Sequence, residues 1–423
     1  MKKKEWIALI LAAGQGTRMK SEIPKVLHTV CGRPMLAYVL DAVKGLAFRK
    51  VITVVGYKGN QVEKALPSGI AVVNQGRLLG TGDAVKKALR AVRGFKGSIL
   101  VLYGDNPLLQ KETIRKLMQH HTQVKACATL LVANVEQPKG YGRILRDKYQ
   151  SICGIIEDKD ADDFQKEIKE INTGIVCFQA PLLVKALAMI KPGNAKKEYY
   201  LTDCIEALYK KRQVIEYQKL TDTQEGLGIN SRLDLARADR IMQKKINERL
   251  MEAGVTIVDP EHTYISYGTV IGADTVIYPF TVIEKNVRIG TRCRIGPFIH
   301  VREGTVLGDS VQVGNFLEIS RSKIASGSTA KHFGYLGDVK IGTRANIGAG
   351  TVTANFDGRN KHTTIIKDRA FIGSDTVLVA PVTVGRGSKT GAGSVVTKSH
   401  NVKDGMTVAG IPARPLPKKG RKK

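Results

Sequence analysis

The apolar positions in the first half of the chain come in short runs, and the segments between several of them are predicted to be helical. Five runs predict β-strands: Ile7–Leu11, Val51–Val55, Ala71–Val73, Ile99–Leu102 and Ala128–Val132. The segments that follow Pro34, Thr81 and Lys111 predict α-helices. This alternation of strands and helices is typical of an α/β domain with a mostly parallel sheet, helices on both of its faces, and ligands at the carboxyl ends of the strands.

The second half of the chain follows a six-residue period. Every sixth residue from Ile265 to Ile319 is aliphatic, and the spacing returns from Ile366 to Val408 with Thr390 as the one exception. Such a repeat predicts three short strands per coil of a triangular parallel β-helix, with each aliphatic side chain pointing inward. The period is interrupted at 325–340 and at 354–365. We expect both segments to be insertions that leave the prism, and loops of that kind often carry function.

A helical connector separates the two patterns. Ser231 and Asp234 have the spacing of a capping box, and Gly254 supplies a stop. The sequence therefore predicts a first domain at 1–230, a helical linker at 231–253 and a β-helix domain with a basic tail at 254–423.

Composition narrows the classes of partner. Lys and Arg number 67 against 38 Asp and Glu, a net charge of +29. That surplus suits phosphorylated small molecules, nucleic acid or acidic lipid surfaces without choosing among them. An aromatic content of 6% with a single Trp argues against large stacking platforms for single-stranded RNA.

Several features predict a cytoplasmic chain. The six cysteines are scattered and form no C-x-x-C pair, which favours reduced thiols. Lys2–Lys4 followed by the apolar run Trp6–Ala13 imitates a short signal peptide, but the run leads directly into a glycine loop and is better explained as a buried first strand. No run approaches the roughly 20 apolar residues of a membrane helix, so no membrane partner is expected.

The glycine loop after the first strand is the first candidate for chemistry. Its backbone at Gly14–Arg18 can approach and cradle a phosphate, although the segment is neither a Walker loop nor a dinucleotide fingerprint. By itself the pattern would fit a tight structural turn. Arg18 and Lys25 add two cations nearby, and Asp105 follows a strand at the place where a carboxylate can hold Mg²⁺ against nucleotide phosphates.

At this point the chain resembles a known family over nearly its whole length. Its motifs LAAGQGTRMKSEIPKVLH, LLGTGDAV, LYGDNPL, GYGRI, GIIEDKDA, EINTGI, EYYLTD and GINSRLDLAR are similar to those of sugar-1-phosphate nucleotidyltransferases. Within this family, the chain specifically resembles the bacterial bifunctional N-acetylglucosamine-1-phosphate uridyltransferases/glucosamine-1-phosphate acetyltransferases. This resemblance implies a Rossmann-like nucleotide-binding domain, a left-handed β-helix, and Mg²⁺ as cofactor.

The resemblance also assigns residues of the first domain. The nucleotide and sugar would contact Leu11, Ala12, Ala13, Gly14, Lys25, Gln75, Gly80, Thr81, Tyr103, Gly140, Glu157, Asn172 and Asn230. Lys25 and Arg18 would hold phosphates during catalysis, and Asp105 and Asn230 would bind Mg²⁺. In the reaction that the resemblance implies, the sugar phosphate would attack the α-phosphorus of UTP directly. Catalysis would then consist of positioning and charge neutralisation, with no protein nucleophile required.

The β-helix motifs GPFIHVREG, VGNFLE, AKHFGYLGD, IGAGTVTANFDGRNKHTTII and FIGSD resemble the acetyltransferase half of the family. His332 would act as the general base, because a neutral imidazole can remove a proton from the sugar's amine as it attacks a thioester. The acceptor would contact Arg302, Tyr335, Asn346 and Lys361, and acetyl-CoA would contact Ala349, Asn355, Phe356, Ser374 and Ala392.

Three positions depart from the family pattern. Ser320 stands where a lysine is usual, Phe356 replaces a tyrosine, and the stretch from Gly410 replaces one in which an arginine commonly touches CoA. The resemblance implies a homotrimer that acetylates glucosamine-1-phosphate and then joins the N-acetylated product to UTP.

Two alternatives stay open from the sequence. One is a single-activity sugar-1-phosphate nucleotidyltransferase whose β-helix is regulatory or trimerising. The other is an RNA-binding or scaffolding protein, suggested only by the charge, whose affinity would fall steeply with salt. No RNA-binding motif supports it, so no specific nucleic-acid partner is expected.

Overall fold

The computed structural model describes residues 6–416, which form two compact units that divide between residues 239 and 240. The signal-like lysines Lys2–Lys4 and the basic tail Lys418–Lys423 lie outside the described residues. None of the helices within 6–416 combines the length and the apolar character needed to cross a bilayer.

The first unit contains a nine-stranded main sheet and a separate two-stranded sheet, which is formed by the strands Thr29–Val30 and Arg33–Pro34. Its strands are β1 (Trp6–Ala12), β2 (Thr29–Val30), β3 (Arg33–Pro34), β4 (Lys50–Val55), β5 (Ala71–Asn74), β6 (Ser98–Tyr103), β7 (Ala128–Asn134), β8 (Gly142–Arg146), β9 (Ile152–Ile156), β10 (Glu170–Gln179) and β11 (Ile215–Lys219). Its helices are α1 (Met35–Val43), α2 (Gly59–Lys64), α3 (Thr81–Arg90), α4 (Lys111–Val124), α5 (Asp163–Lys166), α6 (Ala180–Met189), α7 (Asp203–Lys210) and α8 (Arg232–Glu252), the last of which continues into the second unit. The expected α/β fold is confirmed, and every strand and helix predicted from the sequence is present.

The order of the main sheet is β11-β7-β10-β6-β1-β4-β5, with the β8–β9 hairpin attached to β10. The pairs β1–β4, β1–β6, β4–β5 and β7–β11 are parallel, whereas β10 runs antiparallel to both of its neighbours. Apolar side chains cover both faces, including Leu9 and Val101 on one and Ile10 and Leu102 on the other. The carboxyl ends of β1, β4, β5 and β6 therefore meet at one edge of the sheet, where parallel α/β sheets bind ligands.

The second unit is a three-faced β-helix, as the period predicts. Face A consists of Thr256–Ile257, Val276–Ile277, Arg294–Ile295, Gln312–Val313, Thr329–Ala330, Asn346–Ile347, Phe371–Ile372, Lys389–Thr390, Thr407–Ala409 and the antiparallel Arg414–Pro415. Face B consists of Thr263–Ile265, Thr281–Ile283, His300–Val301, Leu317–Ser320, Gly334–Gly337, Thr351–Ala354, Val377–Val379 and Val395–Val396. Face C consists of Val270–Ile271, Arg288–Ile289, Val306–Leu307, Lys323–Ile324, Val339–Ile341, Thr364–Ile366 and Val382–Val384.

The inward positions are filled as expected. Ile265, Ile295 and Leu378 are fully buried, and Thr390, the polar exception, also points inward at 2% exposure. Each aliphatic side chain stacks on the one a coil below, since the strands pair in parallel register from coil to coil.

The expectation that 325–340 leaves the prism is wrong. Strands Thr329–Ala330, Gly334–Gly337 and Val339–Ile341 continue all three faces, and Ala330 and Leu336 are buried. The period fails there because Ile324 follows Ile319 after five residues, and the same shortening recurs between Leu336 and Ile341. His332 therefore lies at an ordinary corner between faces A and B and not in an insertion.

The second interruption does leave the prism. Thr353 and Ile366 both point inward, and the chain between strands Thr351–Ala354 and Thr364–Ile366 forms a projecting loop. Phe356 and Lys361 pair across this loop by an antiparallel bridge, and Phe356 is 59% exposed.

Candidate functional site

Three of the predicted residues of the first unit converge at the carboxyl edge of the sheet. The Lys25 Nζ donates hydrogen bonds to Asp105 Oδ2 and, at 3.0 Å, to Asn230 Oδ1. Asp105 follows β6 and is 8% exposed, while Lys25 opens a short 3₁₀ turn at Lys25–Leu27. Gly104 N bonds Leu11 O at 2.9 Å, which ties the end of β6 to the end of β1 beneath the glycine loop.

The glycine loop itself is open. Gly14 is exposed, and a side chain placed there would meet no atom within 4 Å. Ala12 and Ala13 are buried just before it, and Ala13 O accepts from Tyr57 N at 3.0 Å. Arg18 lies on the next turn, is exposed, and forms no hydrogen bond or ion pair within residues 6–416, so the structure does not join it to Lys25.

Two of the remaining nucleotide-site candidates are in direct contact. Gln75 Nε2 donates to Gly80 O at 3.0 Å, while Thr81 Oγ1 at the start of α3 accepts from Leu201 N at 3.0 Å. Burial raises the pKa of the Tyr103 hydroxyl far above its ordinary value. Gly80 has a φ of +102° and packs so closely on Tyr199 that a Cβ would lie 2.5 Å from its carbonyl oxygen, so this position requires glycine.

The sugar-site candidates lie on neighbouring elements. Glu157 Oε1 accepts from Thr202 Oγ1 at 3.1 Å, and burial raises the pKa of Glu157. Asn172 Oδ1 accepts from Gly174 N at 3.1 Å within β10. Gly140 holds a φ of +88° in the turn before β8 and has open space at its Cβ position.

Several residues in this region were not singled out in the sequence. Asp83 and Lys87 of α3 bond the Gln75 amide and carbonyl, and Thr202 bonds Glu157. Thr202 lies in the motif EYYLTD, and Asp83 lies in the motif LLGTGDAV. Both residues touch other side chains of the site, and the spacing of residues in a sequence gives no sign of such a role.

In the β-helix, the acceptor candidates Arg302 and Tyr335 lie on face B, two coils apart. Arg302 Nη1 donates to Glu318 Oε1 at 2.9 Å, and Glu318 lies opposite Tyr335 on the next coil. Asn355 Nδ2 lies 3.5 Å from the Tyr335 hydroxyl and also donates to Asp338 Oδ2. Lys361 is exposed on the projecting loop, close enough to Asp338 to lower the pKa of that carboxyl.

Arg321 is the cation that the sequence did not assign. Its Nε and Nη2 donate to the two carboxylate oxygens of Asp338 at 2.8 Å each, and its Nη1 donates to Ser320 Oγ at 2.7 Å. This paired guanidinium is the main cause of the lowered pKa of Asp338. Ser320 itself is fully buried.

The acetyl-site candidates line the corner between faces A and B. His332 is exposed there, and on the following coils Ala349, Ser374 and Ala392 occupy the same corner. Hydrogen bonds link the corners: Gly350 N to Phe333 O at 2.8 Å, Asp375 N to Ala349 O at 2.6 Å, and Gly393 N to Ser374 O at 2.8 Å. Asn346 on face A accepts from Thr329 Oγ1 at 3.0 Å. Asn355 and Phe356 lie instead at the face B–face C corner, so the structure separates these two from the other acetyl-CoA candidates.

Comparisons with known proteins agree with both units. Residues 8–171 match the MobA-like NTP transferase domain family, and residues 268–298 and 363–398 match the bacterial transferase hexapeptide family.

Full-length relatives are similar over most of the chain. Two are named "Bifunctional protein GlmU", from Heliobacterium modesticaldum and from Geobacillus sp. strain WCH70, and each is 44% identical over 92% of this chain, covering 93% and 92% of the relative. A third with the same name, from Bacillus subtilis strain 168, is 42% identical over 92% of this chain and 93% of its own length. The chain therefore belongs to the bifunctional GlmU family of uridyltransferases/acetyltransferases.

Proposed function

We propose that this chain makes UDP-N-acetylglucosamine in two steps. The β-helix transfers the acetyl group of acetyl-CoA to glucosamine-1-phosphate. The first unit then transfers a uridylyl group from UTP to N-acetylglucosamine-1-phosphate and releases pyrophosphate. The observation that carries the proposal is the identity of 41–44% to relatives over about 92% of the chain, across both units.

The donor set at the sheet edge fits a magnesium ion bound with a nucleotide. Asp105 and Asn230 aim their oxygens at one point, which the Lys25 ammonium occupies as a cationic stand-in. Mg²⁺ commonly takes one or two protein oxygens and completes its octahedron with water and substrate phosphates. We propose that these two side chains hold Mg²⁺, which when bound neutralises charge that develops on the phosphates.

The chain's own residues do the positioning. Lys25, released from its carboxylate partner, neutralises phosphate oxygens, and exposed Arg18 adds a second cation from the adjoining turn. The backbone of Leu11–Gly14 and the Gln75 amide hold the base, and Gly140, Glu157 and Asn172 contact the sugar. With both reactants held in line, attack by the sugar phosphate on the α-phosphorus needs no covalent enzyme intermediate.

For acetyl transfer, we propose that exposed His332 accepts a proton from the acceptor's amine as the nitrogen attacks the thioester carbonyl. The C–S bond then breaks, and the coenzyme A sulfur takes this proton from His332 and leaves as the thiol. Arg302, Tyr335, Asn346 and Lys361 would hold the sugar phosphate. The corner that carries Ala349, Ser374 and Ala392 offers small side chains along which acetyl-CoA can lie between neighbouring prisms. Asn355 and Phe356, which lie at the other corner, would contact it from the projecting loop of the neighbouring copy.

Arg321 supports acceptor binding despite the change at Ser320. Its guanidinium reaches the Ser320 hydroxyl, and its bidentate pair with Asp338 fixes the planar group in place. An arginine held in this way provides fixed donors for a phosphate. The cation that the usual lysine would provide is therefore replaced from the next residue.

We further propose that the chain assembles as a homotrimer in the cytoplasm. A hexapeptide β-helix suggests an oligomer, and the six cysteines are all free thiols, which suits a reducing compartment.

The two activities should be separable by single substitutions. Asp105→Asn removes the charge beside Lys25 and should abolish UDP-sugar formation while leaving acetyl transfer near the wild-type rate. His332→Ala should slow acetyl transfer by about 10²-fold or more, the usual contribution of a positioned general base, and spare uridylyl transfer. Each half-reaction is assayed on the purified protein, with glucosamine-1-phosphate and N-acetylglucosamine-1-phosphate as separate acceptors.

Thermal unfolding of both variants serves as the control for folding. If either variant remained folded and lost both activities, the assignment of one activity to each unit would be wrong. A His332→Ala enzyme that acetylates at the wild-type rate would remove the acetyl-transfer proposal and leave the uridylyl-transfer proposal standing.

A further inference from the structure

The Gln75 side chain is held by groups of α3 that have no other assigned role. Gln75 follows β5 and is 4% exposed. Its Nε2 donates to Gly80 O at 3.0 Å and to Asp83 Oδ2 at 3.1 Å. Lys87 Nζ lies 3.0 Å from the same carboxylate oxygen and donates to the Gln75 main-chain carbonyl.

We infer that Asp83 and Lys87 are positioning residues that make the nucleotide site select uracil over cytosine by fixing the orientation of the Gln75 amide. The inference rests on the proposed function, in which Gln75 contacts the base, and adds the means of base selection.

The two acceptors determine which end of the amide faces inward. A glutamine amide has two N–H donors on one end and a lone-pair acceptor on the other. The Gly80 carbonyl and the Asp83 carboxylate can only accept, so both bonds require the NH₂ end. A flipped amide would place Oε1 against two acceptor oxygens, so that the half-buried Asp83 carboxylate and the Gly80 carbonyl would both lose the Gln75 donor, an unfavourable arrangement.

The opposite end of the amide then faces the base. None of the described residues donates a hydrogen bond to Gln75 Oε1, and this atom is not among the fully buried polar atoms without a partner. With both Nε2 hydrogens already used, the side chain offers the base an acceptor only.

An acceptor matches uracil and not cytosine. Uracil presents an N3–H donor between two carbonyl oxygens, whereas cytosine has a bare N3 acceptor in the same place. Gln75 Oε1 can accept from uracil N3–H, but it would face the N3 lone pair of cytosine. A site built around one hydrogen-bonding pattern rejects the ligand that lacks it, because its own polar group is left unpaired.

Lys87 completes the arrangement by holding Asp83 and the Gln75 main chain together. It lies one turn beyond Asp83 on α3, so its ammonium spans both groups. The adjacent Lys86 is exposed, forms none of these bonds and provides a matched control on the same helix.

The experiment compares kcat/KM for UTP and CTP in uridylyl transfer to N-acetylglucosamine-1-phosphate. Asp83→Ala should lower the UTP/CTP preference by roughly tenfold, the factor that one hydrogen bond commonly contributes, since Gly80 O still orients the amide. The change should come from a higher KM for UTP with kcat little altered, because the contact holds the base equally before and during the reaction. Asp83→Asn keeps one acceptor oxygen and should lower the UTP/CTP preference by a smaller factor.

Two further comparisons separate positioning from a general structural role. Lys87→Ala should lower the UTP/CTP ratio by a few-fold, and Lys86→Ala should leave it unchanged. In a Gln75→Ala background, Asp83→Ala should have no further effect on the ratio, because it acts only through the Gln75 amide. Thermal unfolding of each variant checks that unit 1 remains folded.

The outcomes are distinct. The role of Asp83 would be overturned if folded Asp83→Ala kept the wild-type UTP/CTP ratio. It would also be overturned if Asp83→Ala lowered this ratio as much in the Gln75→Ala background as in the wild type. Both results would leave the proposed function intact. If the wild-type protein turned over no UTP with any sugar phosphate, the proposed function would fail, and the inference with it.

Discussion

At the residue scale, an acidic group beside the sugar-site candidates links protonation to stability. Burial first, and then the nearby carboxylates Glu157, Glu206 and Asp160, together raise the pKa of Asp203 from 3.8 to about 6. A raised pKa means that the folded state binds the proton more tightly than the unfolded chain. Asp203 therefore contributes most to stability at low pH, and this contribution is lost as the pH rises from about 4 through about 6.

We therefore expect Asp203→Asn to stabilise the first unit at pH 8 by about 1–3 kcal/mol and to have almost no effect near pH 4. The fluorescence of Trp6, which is the chain's one tryptophan and is 1% exposed in β1, reports the unfolding of this unit. Glu63→Gln, a change at an exposed carboxylate, serves as the control and should give the same small difference at both pH values. A stabilisation by Asp203→Asn that is as large at pH 4 as at pH 8 would contradict the shifted pKa as its cause.

The sequence could reveal a candidate site residue only when its position followed from the backbone topology. The convergence of the candidates Lys25 and Asp105 was predictable because a glycine loop and a strand end meet at the carboxyl edge of a parallel sheet. Asp83 and Asp338 were missed because each acts through another side chain, Gln75 or Arg321, and their contacts depend on rotamers and neighbouring coils. Sequence spacing carries the backbone topology but not these side-chain bonds.

At the scale of elements, the six-residue period predicted the coils wherever the inward side chains were large and evenly spaced. It failed at 325–340 because two steps are five residues long and the small Ala330 occupies an inward position. A search for large aliphatic residues at a fixed spacing of six misses both the five-residue steps and the small inward Ala330. The reversed strand β10 was likewise not foreseen, since an apolar run does not indicate strand direction.

The same substitution on the two sides of a β-helix strand should differ in its effect. Val313→Ala removes methyl groups from a side chain that is 2% exposed inside the prism and should lower the free energy of unfolding by about 2 kcal/mol. Val270→Ala changes a side chain that is 52% exposed on face C and should cost less than about 0.5 kcal/mol. Urea unfolding followed by circular dichroism at one protein concentration measures both. Equal losses would contradict the inward and outward assignment of these positions.

At the scale of the whole molecule, the corner between faces A and B carries an exposed aromatic column. The rings of Phe280, Phe298 and Phe316 stack at centroid distances of 4.9 and 5.0 Å on successive coils, and each of them is at least 44% exposed. Phe333, beside His332, lies at the same corner on the next coil and is 55% exposed. Contiguous apolar surface of this kind is uncommon on a monomer and typical of an interface. It supports the proposal that copies of this chain pack beside the acetyl-transfer corner.

Assembly can therefore be tested together with acetyl transfer. Phe316 is 67% exposed in the single chain, so Phe316→Asp should be nearly neutral if the chain is a monomer. If the column is covered in a trimer, the substitution buries a charge, and sedimentation equilibrium should show a shift from three chains toward one. Acetyl transfer per chain should fall with it, since acetyl-CoA is proposed to lie between neighbouring prisms, while uridylyl transfer should stay constant.

Phe164→Asp, at a side chain 91% exposed in the first unit, is the matched control and should change neither the oligomeric state nor the rate of acetyl transfer. A wild-type protein that sediments as one chain at micromolar concentration and still acetylates glucosamine-1-phosphate at full rate would contradict both the trimer and the shared site.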